Sequence, residues 1–176
     1  MKIIGFVYTS GQKEIVLKGD SCLLNGRKPF FLPDWSKKIG VTPCVILRVS
    51  RLGKGIDTKF ASRYYDAIAP GADFIALDKW SEAHQSNAPW TKSIAFDYSL
   101  AIGEWIDKPD VLQQVLEQGK WILSPEDAIA RASEVMTIRQ GDLIYIQACD
   151  LPKPVERGDV VRFEIAGEEK LYCKIK

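Results

Sequence analysis

The chain has 176 residues, 27% of them charged and 46% hydrophobic, with 24 basic against 23 acidic side chains and a formal net charge of +1. Such a composition excludes a disordered chain and a membrane-embedded one, and the length suffices for a sizeable core in one domain spanning residues 1–176. Lys and Arg are interspersed with Asp and Glu and form no stripe that would neutralise a row of phosphates, so no nucleic-acid partner is expected.

In chain order, Met1 to Tyr8 is a short apolar run that turns polar at Thr9. It is too short for a signal-peptide core or a membrane span, so a first strand, no membrane partner and a cytoplasmic location are expected. Cys22 to Leu32 reads as a small hairpin, with Asn25-Gly26 supplying both positive-φ positions of its turn. Cys44 to Arg51, rich in β-branched residues, reads as a strand, although Pro43 just before it lacks the N–H that a central strand uses. Over Thr58 to Ile68, Phe60, Tyr64, Ala67 and Ile68 fall at helical spacing behind a cap at Asp57 or Thr58. Ala69-Pro-Gly71 then reads as a turn, which makes Asp73 a turn residue bonded to its own backbone.

Further on, His84 lies in the polar stretch Ser81 to Asn87 and reads as a solvated loop residue. Asp110 to Gln118 suggests a turn or two of helix. Ser124-Pro-Glu-Asp127 is a helix start, with a capping hydroxyl, a proline suited to the first turn and acids facing the positive end. Leu143 to Gln147 and Val160 to Ile165 complete the strand set, so the expected class is α+β, β-rich, with few short helices. Cys22, Cys44, Cys149 and Cys173 have no Cys-x-x-Cys spacing, and buried reduced thiols are expected at Cys44 and Cys173. Trp35, Trp80, Trp90, Trp105 and Trp121 read as core or interface anchors.

Six segments carry a resemblance. Gly71-Ala-Asp-Phe-Ile-Ala-Leu-Asp78 follows Arg63-Tyr-Tyr-Asp66 and precedes Pro89-Trp-Thr-Lys-Ser-Ile-Ala-Phe-Asp97. Upstream stands Arg48-Val-Ser-Arg-Leu-Gly-Lys54, and downstream Met136-Thr-Ile-Arg-Gln-Gly-Asp-Leu-Ile-Tyr145 and Val155-Glu-Arg-Gly-Asp-Val-Val-Arg-Phe-Glu-Ile165. In this order and spacing they resemble the fumarylacetoacetate hydrolase family, of which the chain looks like a short and divergent member. The resemblance implies a mixed β-sandwich or β-roll, a homodimer or a heteromer with a related protein, and a small keto-acid ligand. It also implies a magnesium or manganese ion that stabilises an enolate-like transition state during hydrolysis, isomerisation or decarboxylation of a dicarbonyl acid.

By that resemblance Asp73 is a metal ligand, but the two Glu ligands that accompany it fall at Thr42 and Cys44. The family's basic residues fall at Leu77 and Ile94, and its Thr-Gly-Thr-Pro substrate loop at Ile146-Gln-Ala-Cys149. Residues 1–17 read as a divergent strand region without the family's acid/base lid, since Thr9 to Val16 holds Glu14 and no His. The expectation is a degraded metal site, no cofactor and a non-catalytic binding or assembly role. The alternative is a divergent enzyme, in which Asp78 and Asp97 join Asp73 around an ion, or Lys92 stands in for the lost amine on the same face of an extended segment, or Cys149 serves as nucleophile.

Overall fold

The computed structural model describes residues 1–9, 12–107, 119–165 and 167–176. The strands are β1 (Ile3–Thr9), β2 (Gln12–Lys18), β3 (Leu23–Asn25), β4 (Ile39–Val49), β5 (Tyr65–Ala76), β6 (Leu100–Ile102), β7 (Ile106–Asp107), β8 (Leu143–Gln147), β9 (Lys153–Val155), β10 (Val160–Ile165) and β11 (Glu168–Lys174). The helices are α1 (Thr58–Ala61), α2 (Leu77–Gln85), α3 (Thr91–Ile94) and α4 (Pro125–Val135). A nine-stranded mixed sheet runs in the order β2-β1-β8-β4-β5-β6-β3, with β7 also on β5 and β9 also on β4, while β10 and β11 form a separate ribbon. The α+β, β-rich class is as the sequence predicts. No described helix is long and apolar enough to cross a membrane.

Alternation assigns the two faces of the sheet. On β1, β4 and β8, Ile4, Phe6, Val45, Leu47, Ile144 and Ile146 turn to one side and pack under α4 through Ala128, Ile129 and Ala132. From the same strands Ile3, Val7, Cys44, Ile46, Leu143 and Tyr145 turn to the other side, against Val16, Ile94 and Leu100. A third cluster, with Phe30 stacked on Phe74 at 4.0 Å, packs the far ends of β4 and β5 on the β10-β11 ribbon. α4 starts as predicted: Ser124 caps it by accepting from the Asp127 N–H at 3.1 Å, and Pro125 occupies the first turn.

Four expectations are corrected. The helix predicted over Thr58 to Ile68 stops at Ala61, and Tyr65–Ala76, including the supposed Pro70-Gly71 turn and Asp73, is one long strand. Eleven residue pairs against β4, from Ile39↔Ala76 to Val49↔Tyr65, outweigh the local turn chemistry. The proline is tolerated because β6 pairs with residues 71–73 and β7 with residues 67–68, so the missing N–H of Pro70 falls between them. Pro43 sits in β4 in the same manner, between β9 at residues 39–41 and β8 at residues 44–48. Nor is there a hairpin at Asn25-Gly26: Gly26 alone takes positive φ (71°), and β3 pairs in parallel with β6. His84 belongs to α2 rather than to a loop. The helix predicted over Asp110 to Gln118 lies outside the described residues.

Candidate functional site

Asp73 stands mid-strand in β5, 1% exposed, directly opposite Thr42 of β4. On the same face of neighbouring strands lie Cys44, Tyr145 and Gln147, because each occupies the inward phase of its own strand. Gln147 donates its amide to Asp73 Oδ2 at 2.7 Å and accepts the Tyr8 N–H on its own oxygen at 3.0 Å. The other carboxylate oxygen, Oδ1, takes a hydrogen bond from the Lys18 ammonium at 2.6 Å, and both side chains of this ion pair are sealed from solvent (0% and 1% exposed).

Lys18 comes from β2, four places from β5 in the strand order. On a flat sheet this separation is about 19 Å, far beyond one lysine side chain, so the sheet curls into a roll that brings β2 back over β5. The ammonium's remaining hydrogen bonds go to Ser99 Oγ at 2.9 Å and the Ser99 carbonyl at 3.2 Å. Its three donors are therefore spent on three oxygens. Burial pushes the Cys44 thiol well above its usual range, the Asp73 charge pushes it further, and Lys18 pulls it partly back. Tyr145 is raised likewise, first by burial and then by Asp73. Its hydroxyl is near enough to feel the carboxylate, yet the atoms miss hydrogen-bond geometry. Gly5 makes room for it, since a Cβ there would overlap the Tyr145 ring.

Beside this cluster, and sharing Gln147 with it, is a cavity of about 270 Å³ lined by Val7, Ile75, Leu77, Trp80, Trp90 and Ile94, with Leu151 and Pro152 at one side. A cleft of about 290 Å³ at Gly26, Glu104, Trp105 and Lys170 involves none of the residues around Asp73.

The chain matches the family model described as fumarylacetoacetate hydrolase C-terminal over residues 7–176. It belongs to the fumarylacetoacetate hydrolase family. Among curated relatives it is similar to the mitochondrial oxaloacetate decarboxylase of Dictyostelium discoideum, at 26% identity over 84% of this chain and 74% of that protein. It is also similar to the mitochondrial oxaloacetate tautomerase of Mus musculus, at 22% identity over 92% of this chain and 80% of that one. Among solved structures, fumarylpyruvate hydrolase from Pseudomonas aeruginosa, in complex with Mn2+ and pyruvate, shares the fold with a TM-score of 0.77 at 17% identity, over 99% of this chain and 88% of that chain. The 5-carboxymethyl-2-hydroxymuconate delta-isomerase from Mycobacterium smegmatis matches with a TM-score of 0.78 at 17% identity, over 99% and 78% of the two chains.

The fumarylacetoacetate hydrolase resemblance thus puts a divalent ion at Asp73, and the donor set around Asp73 does not suit one. Both oxygens of Asp73 already have partners, the hydroxyl of Thr42 and the thiol of Cys44 supply no second carboxylate, and an ammonium holds the adjoining position. A hard dication requires several oxygen ligands to offset its lost hydration, and it would be repelled by Lys18. Among the described residues no group of three His, Cys, Asp or Glu side chains is placed to hold a metal ion.

The other sites named from the sequence lie elsewhere. Asp78 begins α2 and accepts from Ser36 Oγ at 2.6 Å and from the Lys37 N–H at 2.9 Å; burial opposes its ionisation, yet these bonds hold its carboxyl below the usual range. Neither it nor Asp97, which follows α3, joins Asp73. Lys92 lies in α3, not on an extended segment, so it points away from Ile94; its ammonium sits 5.4 Å above the Trp35 ring. His84 bonds the Trp80 carbonyl at 2.9 Å and lies against the Trp80 ring, tilted by 35°. Cys149 is an exposed free thiol, whereas Cys44 and Cys173 are buried and free as expected. None of the five tryptophans is fully buried: Trp80 and Trp90 line the cavity, and Trp105 lies under Arg48. Sequence reasoning missed Lys18 and Gln147. The available signal was phase, since Lys18 shares the inward face of β2 with the buried Val16.

Proposed function

We propose that this chain is a non-catalytic binding member of the fumarylacetoacetate hydrolase family that works without a divalent ion. The observation supporting this reading is the sealed Lys18–Asp73 ion pair, with an ammonium where the resemblance puts the metal's charge. The cation's electrostatic role toward Asp73 is filled, but a lysine enclosed by the fold and hydrogen-bonded to Ser99 presents no open coordination position to a substrate. Leu77 and Ile94 stand where the family's basic residues would meet an acid, and both line the same apolar cavity. Assembly, as a homodimer or with a related chain, is part of this reading.

The test is calorimetric titration with Mn2+ and Mg2+, together with an assay of oxaloacetate and an acylpyruvate in the presence of either ion. No heat of binding and no turnover above the uncatalysed rate are expected. The relatives named for oxaloacetate decarboxylase and tautomerase activity make the opposite outcome concrete. Ion-dependent turnover abolished by Asp73→Ala would establish the chain as a divergent hydrolase, isomerase or decarboxylase and overturn this proposal.

A further inference from the structure

The cavity beside Gln147 has walls that discriminate by charge. Among the described residues its lining holds no charged side chain: it is made of aliphatic residues, two tryptophans, Tyr8, Pro152 and Gln147. Gln147 is neutral and is held in place at both ends, one amide N–H bonding Asp73 and its oxygen taking the Tyr8 N–H. Lys18, behind Gln147 on the far side of Asp73, is spent on Asp73 and Ser99. A carboxylate entering here would lose its hydration and meet no counter-charge, a cost of several kcal/mol for an ion in an apolar setting. A neutral apolar molecule loses nothing comparable and gains contact with every wall.

Two further observations narrow the ligand. The volume of about 270 Å³ compares with the ~150 Å³ apolar cavity that already admits benzene, so a single ring with one substituent fits. Ile94 and Gln147 are almost fully buried while Leu151 is 79% exposed, so the cavity runs from an open rim to a deep floor, a shape for a small molecule rather than a flat protein face.

We propose that this cavity binds a small uncharged aromatic molecule, such as an aryl ketone, and rejects carboxylates of the same shape. The proposal rests on the reading of the chain as a binding protein and names the ligand class of that site.

The test uses acetophenone, benzoate and toluene, three molecules of nearly one size, titrated into the intact chain and followed by the indole N–H resonances in proton–nitrogen NMR. Acetophenone is expected to move the Trp80 and Trp90 signals saturably and to bind at least tenfold more tightly than benzoate. Benzoate binding as tightly as acetophenone, or no saturable shift with acetophenone, would overturn the proposal; both are read on the unmodified chain. Shifts that track protein concentration instead of ligand would assign the cavity to a second copy and equally overturn it. Ion-dependent turnover would defeat the non-catalytic reading alone, whereas benzoate binding without turnover would defeat the ligand class alone.

Discussion

Lys18→Met keeps the length of the side chain and removes its charge, which leaves the Asp73 carboxylate buried with Gln147 as its remaining hydrogen-bond partner. Removing one member of a buried ion pair costs about 3–5 kcal/mol, since the other charge stays desolvated and uncompensated. Both partners here are sealed (0% and 1% exposed), so solvent cannot screen the loss. For a chain of this size each kcal/mol lowers Tm by about 2–4 °C, so a fall of about 6–20 °C is expected. Asp73→Asn should cost a similar amount by stranding the ammonium against Ser99. The double variant Lys18→Met, Asp73→Asn has no buried charge left at this site and should recover most of the loss, ending within a few kcal/mol of the parent or above it. Urea unfolding of all four chains at neutral pH closes the cycle, and the single-variant costs should fail to add. A cost below about 1 kcal/mol for Lys18→Met, or strictly additive costs, would refute the ion pair as the organising contact of the site.

Three other outcomes are expected. Asp142 takes hydrogen bonds from the Lys2 ammonium at 2.6 Å and from the Lys2 and Arg139 N–H groups at 2.9 Å; burial opposes its ionisation, but these bonds hold its pKa below the ordinary range. A depressed folded pKa gives stability that is present above the unfolded value near pH 4 and lost as pH falls through the folded one. Asp142→Asn should therefore cost about 1–3 kcal/mol at pH 7 and less at pH 3, by urea unfolding at both. Gly5→Ala drives a methyl into the Tyr145 ring and should lower stability by about 1–3 kcal/mol, with much of the loss relieved in a Tyr145→Leu background when the two are compared by thermal melts. Ser124→Ala removes the α4 cap and should cost about 1 kcal/mol in the same melts.

What could be read from the sequence divides along physical lines. α4 was legible because its cap, proline and acidic first turn are all local, and β8 because its apolar run is too short for a helix. β5 was not: Ala69-Pro-Gly71 has the chemistry of a turn, and eleven pairings with β4, formed at a distance in sequence, decide against it. The failure at Lys92 has the same origin, because its face depends on whether the segment is extended or helical. Thr42 and Cys44 showed that carboxylates were missing beside Asp73, yet what replaced them stayed hidden, since Lys18 lies 55 positions away and reaches Asp73 only when the sheet rolls up.

Pro43 shapes the cavity from a strand that does not touch it. In register with Cys44↔Gln147, the residue opposite Pro43 is Ala148, and such a pair ordinarily exchanges two hydrogen bonds. Ala148 gives its N–H to the Pro43 carbonyl at 2.9 Å, but Pro43 has none to return, so β8 parts from β4 at this point and the chain rejoins it as β9. The detour between them carries Leu151 and Pro152 out to the cavity. One absent amide hydrogen thus turns what would be a continuous ladder into an entrance, and restoring it with Pro43→Val invites the two strands to fuse and the rim to close.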